Sequence, residues 1–262
     1  MSTPSASAEH DDLAGRVAIV TGATRGLGRQ IALALGRAGC KVVVVGRSTA
    51  DAPNRHLPGT LEETEAALIA LGTDVEAIRA DVADDVDVER IVAVTTARFG
   101  RCDLLVNNAA VSFLGPFLDV SVKRWRTAIA VNLLGPVVLS QAVLPGMIER
   151  GGGRILNLGS GAAQSDGTLQ LPYSVTKLSL ERLTTGVAHQ LAGTGVAVNC
   201  IRIDEVIPTE AVELHAAELA AGARSNPAQF AQAVTWVLSR PSWYTGLVLT
   251  LDQLRDIGAL PT

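Results

Sequence analysis

The sequence predicts an α/β domain, a parallel sheet covered by helices on both faces. Short β-branched runs alternate with helical segments along nearly the whole chain, and the links between them are short. Runs such as Lys41–Val45 are apolar at consecutive positions, as strands buried on both sides require. In order, Val17–Thr21 reads as a strand ending in glycines, and Gln30–Arg37 follows with helical composition. Lys41–Val45 is a strand, Leu61–Leu71 a helix, Val75–Ala80 a strand and Asp85–Phe99 a helix. Asp103–Asn107 is a strand, Ser121–Glu149 a long helix and Arg154–Gly159 a strand. Pro172–Leu191 is a helix, Val196–Ile203 a strand, Pro227–Leu238 a late helix and Leu247–Leu251 a final strand.

Composition narrows the function. Of 262 residues, 48% are hydrophobic, 3% aromatic and 18% charged, with a net charge of −4. Such a chain is too apolar and too weakly charged for disorder. It lacks the cationic excess of a general nucleic-acid binder. Cys40, Cys102 and Cys200 have no metal-ligand spacing, and each sits beside a Val- or Leu-rich run, so buried free thiols are expected. Their odd number and the absence of a secretory segment point to a reducing interior, the cytoplasm. Met1–Asp12 is polar and reads as a loose tail, with one domain over residues 13–262. The apolar stretch Ala128–Ile148 is interrupted by Asn132, Gly135, Pro136, Gln141 and Pro145, so no membrane span is expected. His10, His56, His189 and His215 show no metal spacing, and no metal is expected.

After the first strand comes Thr21-Gly22-Ala23-Thr24-Arg25-Gly26-Leu27-Gly28, leading into a helix. Glycines let the backbone turn tightly and approach a pyrophosphate, which the free amides and dipole of the helix N-terminus stabilise. An ordinary turn is the alternative, but a strand before and a helix after are what the motif needs. The spacing is Gly-x-x-x-Gly-x-Gly, and it resembles the short-chain dehydrogenase/reductase family. The second strand ends Gly46-Arg47-Ser48, without the acidic residue that would hold the ribose 2′-hydroxyl of NAD. Arg47 and Arg25 offer two guanidiniums that can clamp a 2′-phosphate, which favours NADP(H) over NAD(H). The resemblance further implies Asp81 and Val82 against the adenine. It also implies contacts from Asn108, Ala109 and Ala110, where the family reads Asn-Asn-Ala-Gly, so that Ala110 crowds the cofactor slightly.

Tyr173-Ser174-Val175-Thr176-Lys177 places a phenol and an ammonium four residues apart, on one helix face. A free phenol titrates near about 10 and is a poor base at neutral pH; a nearby ammonium stabilises the phenolate. Ser160 lies thirteen residues before Tyr173, the family's own spacing, where a hydroxyl can donate to a carbonyl oxygen as charge develops. Asn132, a poor choice for an apolar helix face, matches the family's fourth catalytic position. These matches run in order from residue 17 to about 200. They imply a Rossmann-like sheet of seven parallel strands and interconversion of a carbonyl and an alcohol. In that reading Tyr173 is the general acid, Lys177 binds the nicotinamide ribose and tunes the phenol, Ser160 orients the carbonyl, and Asn132 completes a proton relay through a water.

The pattern breaks in three places. Ile203-Asp204 stands where the family has Pro-Gly, with Ile203 left to line the nicotinamide. Leu251-Asp252-Gln253-Leu254 replaces the common Val-Asp-Gly-Gly, and a long loop, Ser48–Thr60, contains Leu57-Pro58-Gly59-Thr60. The loop and the missing Pro-Gly are similar to the hydroxysteroid dehydrogenase-like branch, whose substrates are poorly defined. A lid is expected from Asp204 to Asn226, where Val212, Leu214 and Leu219 are available to cover either an apolar ligand or the protein's own core. An active reductase or dehydrogenase of a small molecule is the leading reading, and a cofactor-binding sensor or scaffold is the alternative. Ala128, Val131, Leu134, Val138 and Val143 on the long helix, with Leu178, Leu180, Leu183 and Val187 on the Tyr173 helix, give more than one apolar face. A homo-oligomer is expected, a tetramer ahead of a dimer.

Overall fold

A computed structural model describes residues 11–166, 169–210 and 226–260. Seven strands form one sheet in the order β3-β2-β1-β4-β5-β6-β7. They are β1 (Val17–Thr21), β2 (Lys41–Gly46), β3 (Val75–Arg79), β4 (Leu104–Asn107), β5 (Gly153–Ser160), β6 (Val196–Ile203) and β7 (Val248–Thr250). All neighbours pair in parallel, giving the Rossmann-like arrangement expected. The helices are α1 (Gly26–Arg37), α2 (Leu61–Ala70), α3 (Asp85–Phe99), α4 (Val122–Ile129), α5 (Gly135–Glu149), α6 (Leu171–Gln190), α7 (Pro227–Leu238) and α8 (Leu251–Asp256). The lid residues Val212, Leu214 and Leu219, the histidines His10 and His215, and most of the N-terminal tail lie outside the described residues.

Both faces of the sheet are buried, which explains the unbroken apolar runs. Ile19, opposite Val43 and Leu105, joins Val17, Val45, Ile155 and Val198 under Ile91 of α3 and Leu139 and Met147 of α5. The alternate residues Val20, Val42, Val44, Leu104, Leu156 and Ile201 pack under Ile31 and Leu35 of α1 and Phe230 and Val234 of α7. The connection changes side between β1 and β4, so a crevice opens beyond their carboxyl ends, where open α/β sheets bind ligands.

Three boundaries differ from the sequence reading for physical reasons. First, α1 starts at Gly26 rather than Gln30, because packing overrides the poor helix propensity of Gly26 and Gly28. Second, Ser121–Glu149 is not one regular helix; α4 and α5 are joined by a π turn over Ala130–Leu134. Pro136 has no N–H to offer the carbonyl of Asn132, and the backbone widens until Gly135 N–H reaches back to Ala130 O. Third, the last strand stops at Thr250, and Leu251 opens α8. Gln253, standing where the family has glycine, completes a reciprocal capping box with Thr250. Val122–Glu149 is long and apolar enough to cross a membrane, but its Leu139, Val143 and Met147 belong to the packed core.

Asp11 and Asp12 are not part of a loose tail. Asp11 N–H donates to Ser239 O, and its carboxylate receives Arg154 Nη2 at 2.6 Å. Arg154 is buried in β5 and also donates to the carbonyls of Arg240, Gly153 and Gly195. The three cysteines are free and buried, and burial pushes each thiol up to about 12. Because Arg154 is almost fully desolvated, Asp11→Ala should cost about 1–2 kcal/mol in urea denaturation. A tail residue would be neutral in the same measurement.

Candidate active site

The glycine loop is stapled to the end of β4. Asn108 N–H and Ala109 N–H both donate to Thr21 Oγ1, at 3.0 and 3.1 Å. The Asn108 amide donates to Thr21 O at 2.7 Å and Gly22 O at 3.1 Å. Asn108 therefore holds the loop through its side chain instead of facing the cofactor with it. Gly22 has φ +66°, and a Cβ there would lie 2.9 Å from Ala109 Cα, so only glycine fits both the turn and the contact. On the other side Thr64 Oγ1 donates to Ala23 O at 2.9 Å, and buried Thr24 packs its methyl against Gly46.

The loop delivers the start of α1 with no side chain on its amides. Arg25 is the N-cap residue and makes no capping bond, and the first turn has no acidic residue. α2, α3, α4, α7 and α8 are capped by Thr60, Asp84, Ser121, Asn226 and Thr250, whereas α5 and α6, like α1, have no capping side chain. The amides of Gly26, Leu27 and Gly28 thus fit an anionic diphosphate. Thr209 and Glu210 stand over Gly26 at the mouth of this turn.

At the adenosine end, Arg47 Nη1 pairs with Asp81 Oδ2 at 3.1 Å, both side chains being substantially exposed. The structure thus joins two residues that the sequence reading assigned to different parts of the cofactor. An exposed pair of this kind is worth under about 1 kcal/mol and exchanges readily for a phosphate and an adenine amine. Arg47 and Asp81 open onto a cleft of about 500 Å³ that is also lined by Arg79, Ala80, Asp87 and Arg90. The Asp81 N–H and the Arg90 guanidinium hold the Asp87 carboxyl below its usual range. Val82 is buried, and its carbonyl sits against Gly135. Ala110 is exposed.

β5 ends at Ser160, whose Oγ accepts from Ala162 N at 3.3 Å and caps a short 3-10 turn, residues 161–164. That turn and β5 both pack against α6, which carries Tyr173 and Lys177. Lys177 is 3% exposed, and its Nζ donates to Leu158 O at 2.6 Å. The same nitrogen lies 5.4 Å from the centre of the Tyr173 ring. One β5 carbonyl thus locks the ammonium beneath the phenol. Asn132 is wholly buried in the π turn. Its Oδ1 accepts from Val111 N at 2.8 Å, and its Nδ2 donates to Val111 O at 2.9 Å and Thr176 Oγ1 at 3.1 Å. Both amide hydrogens are used, so the side chain clamps the loop after β4 to α6.

Ile203 pairs across from Ser160 in the β5–β6 ladder. Asp204 follows, with its Cα 2.9 Å from where a Cβ on Gly161 would stand. Its Oδ1 accepts from Leu251 N at 3.2 Å, tying the residues that replace Pro-Gly to the start of the segment that replaces Val-Asp-Gly-Gly. Glu205 pairs with Arg255 of α8 in the same cluster. The two departures from the family pattern are one structural unit.

Sequence reasoning missed the polar residues under the site. Asn107 Nδ2 donates to Asn157 Oδ1 at 2.9 Å, and Asn157 Nδ2 donates to Thr184 Oγ1 at 2.9 Å. Thr176 Oγ1 donates to Tyr173 O at 2.7 Å. Asn157 and Thr184 break apolar patterns in β5 and α6, which was the available signal. Asn132→Ala should destabilise the fold by about 2–4 kcal/mol, because Val111 N–H and C=O lose their partners in a partly buried loop. Asn132→Asp should not restore it, since Val111 O and Thr176 Oγ1 would both face a carboxylate oxygen. Chemical denaturation of the two variants checks this.

A family model described as short chain dehydrogenase matches residues 16–217. The chain is 35% identical over 189 residues to a 3-oxoacyl-[acyl-carrier-protein] reductase of Synechocystis, covering 72% of this chain and 73% of that protein. It is 39% identical over 192 residues to L-xylulose reductase of Bos taurus, covering 72% and 71%. The crystal structure of a putative dehydrogenase from Xanthomonas campestris superposes with a TM-score of 0.84 at 32% identity, covering 94% of this chain and 91% of that one. A variant of actinorhodin polyketide ketoreductase with NADPH gives 0.80 at 28% identity, covering 90% and 95%. With its glycine loop leading into α1, its Lys177 ammonium under the Tyr173 ring and these relatives, the chain belongs to the short-chain dehydrogenase/reductase family of NAD(P)-dependent oxidoreductases.

Proposed function

We propose that the protein interconverts a carbonyl and an alcohol on a small molecule with NADP(H), Tyr173 giving or taking the proton. The observation that carries this reading is the Lys177 ammonium, locked by Leu158 O under the Tyr173 ring. When bound, the cofactor supplies or accepts the hydride. In reduction, the Ser160 hydroxyl donates to the substrate carbonyl oxygen, and Tyr173 O–H donates to the same atom. The Tyr173 proton then passes to that oxygen as the carbonyl becomes an alcohol, leaving a phenolate that the Lys177 ammonium stabilises. Lys177 keeps donors free for a ribose hydroxyl. Asn132 positions α6 through Thr176. The set is complete, which supports turnover over a scaffold role. The substrates in the relatives' names differ widely, from a 3-oxoacyl-[acyl-carrier-protein] to L-xylulose, so substrate class rests on a direct screen.

The preference for NADP(H) is supported by Arg25 and Arg47 and by the lack of an acidic residue after β2. Buried free cysteines support a reducing compartment such as the cytoplasm. A homo-oligomer, a tetramer ahead of a dimer, is supported by apolar side chains left outside the core: Leu134 and Leu178, each 50% exposed, with Val175 beside Leu178 on α6. The remaining residues of those faces divide, since Ala128, Val131, Val143 and Leu180 are buried within the chain.

Tyr173→Phe should abolish NADPH oxidation against any carbonyl the native enzyme reduces, while nucleotide binding stays within a few-fold, because the ring still packs but the proton is gone. A variant retaining most of the native rate would remove Tyr173 from the mechanism. Arg47→Asp should weaken NADPH by about 1.5–3 kcal/mol and spare NADH, as read by fluorescence titration of both nucleotides. Light scattering should return two or more times 27.2 kDa; a monomer would reject the exposed Leu134, Val175 and Leu178 as an interface.

A further inference from the structure

One turn beyond Lys177, the same face of α6 carries a third ionisable residue, Glu181. Lys177 and Glu181 are four residues apart, the spacing at which a lysine and a glutamate on one helix can pair. Burial favours such a pair further, since Lys177 is 3% exposed and the Glu181 side chain 7%. Among the described residues no ion pair joins them. The ammonium donates to Leu158 O, and the carboxylate is taken by Arg202 of β6. Arg202 Nε donates to Glu181 Oε1 and Nη2 to Oε2, each at 2.7 Å. This two-pronged contact occupies both carboxylate oxygens. Its hydrogen bonds raise the Arg202 guanidinium above its ordinary value.

β5 provides the space. Gly159 stands opposite Arg202 in the β5–β6 ladder, and a Cβ on it would lie 3.4 Å from Glu181 Oε1 and 2.9 Å from Cys200 Sγ. The carboxylate thus rests on the strand position next to Leu158, whose carbonyl holds Lys177. Cys200 faces Glu181, Lys177 and Arg202 from β6, but burial pushes its thiol up to about 12 and keeps it neutral. Asp204 acts on Arg202 from the end of β6. Arg154, at the far end of β5, is paired with Asp11. Lys123, Arg124 and Arg126 of α4, which also packs on α6, are exposed. The π turn, the 3-10 turn after β5 and β7 bring no ionisable side chain. Glu181 is therefore the one buried anion beside Lys177 among the described residues, and Arg202 neutralises it. Unpaired, it would cancel the ammonium, and the phenol would hold its proton to higher pH.

We propose that Arg202 is a positioning residue of the reaction, occupying Glu181 and so keeping that carboxylate from cancelling the Lys177 charge beneath Tyr173. This rests on the reading above in which Lys177 stabilises the Tyr173 phenolate. The chain has two tyrosines, Tyr173 and Tyr244, so NMR of tyrosine labelled at the ring carbon that bears oxygen follows each titration, with Tyr244→Phe assigning the signals. No substrate is needed. In Arg202→Gln the Tyr173 midpoint should rise by about one pH unit, the effect of one nearby charge cancelled in a protein interior. In the double variant Glu181→Gln, Arg202→Gln it should return to within about 0.3 units of the unmutated protein. A merely structural pair would leave the midpoint alone or move it alike in single and double variants. No rise in Arg202→Gln, or a rise that the double variant keeps, would overturn the inference. If Arg202→Gln does not fold, Arg202→Lys takes its place. It keeps the charge but not the two-pronged contact, so about half the rise is expected, with the same overturning results. Lys177→Met should raise the midpoint as well. If it does not, the reading of Lys177 falls and the role of Arg202 with it; a rise there without one in the Arg202 variant overturns the role of Arg202 alone.

Discussion

The whole site hangs on the junction of Thr21 with Asn108. One hydroxyl accepts two successive amides, and one amide side chain donates to two successive carbonyls. The bonds fix the ends of β1 and β4, the strands that flank the point where the chain changes side. Gly22 touches Ala109 there at a distance that excludes a Cβ. From that junction the loop can only lead away into α1 with its amides bare. Every later position in the cofactor site is measured from this turn.

A second polar line carries the frame across the sheet. Asn107, Asn157 and Thr184 link β4, β5 and α6 through buried side chains. Asn132 links the loop after β4 to Thr176 on the same helix. Each buried amide is satisfied, which is what makes such residues tolerable in an apolar interior. Their effect is to hold α6 in register with β5, so that Lys177 meets Leu158 O. The positions of Tyr173 and Lys177 are thus set by side chains buried beneath them.

Much of this was legible in the sequence. Lys41–Val45 and Val196–Ile203 announced buried strands because both their faces are covered, and the order of Gly22, Ser160, Tyr173 and Lys177 announced the site. Other features depend on three-dimensional balance. The π turn at Ala130–Leu134 comes from Pro136 acting on a carbonyl four residues earlier within an otherwise helical pattern. Helix α8 arises because Thr250 caps it in a box with Gln253 and Leu254 is buried, which a strand-like Leu-Thr-Leu run conceals. Arg47 meets Asp81, and Arg25 meets the loop of Pro58 and Gly59, across 34 residues or nearly so. Pairings at that separation leave no periodic trace.

Thr21→Val tests the central junction most directly, since valine keeps the shape and the strand propensity and removes only the hydroxyl, which accepts from both amides and donates to Val106 O at 3.3 Å. Hydrogen exchange at Asn108 and Ala109, measured beside nucleotide binding in a protein that remains folded, is the readout. Loss of the junction should speed exchange most at Ala109, since Asn108 N–H also donates to Val106 O at 3.1 Å, and weaken NADPH and NADH by the same factor, because it is the shared diphosphate turn that shifts. Unchanged exchange at those amides, or unchanged affinity for both nucleotides, would contradict the account.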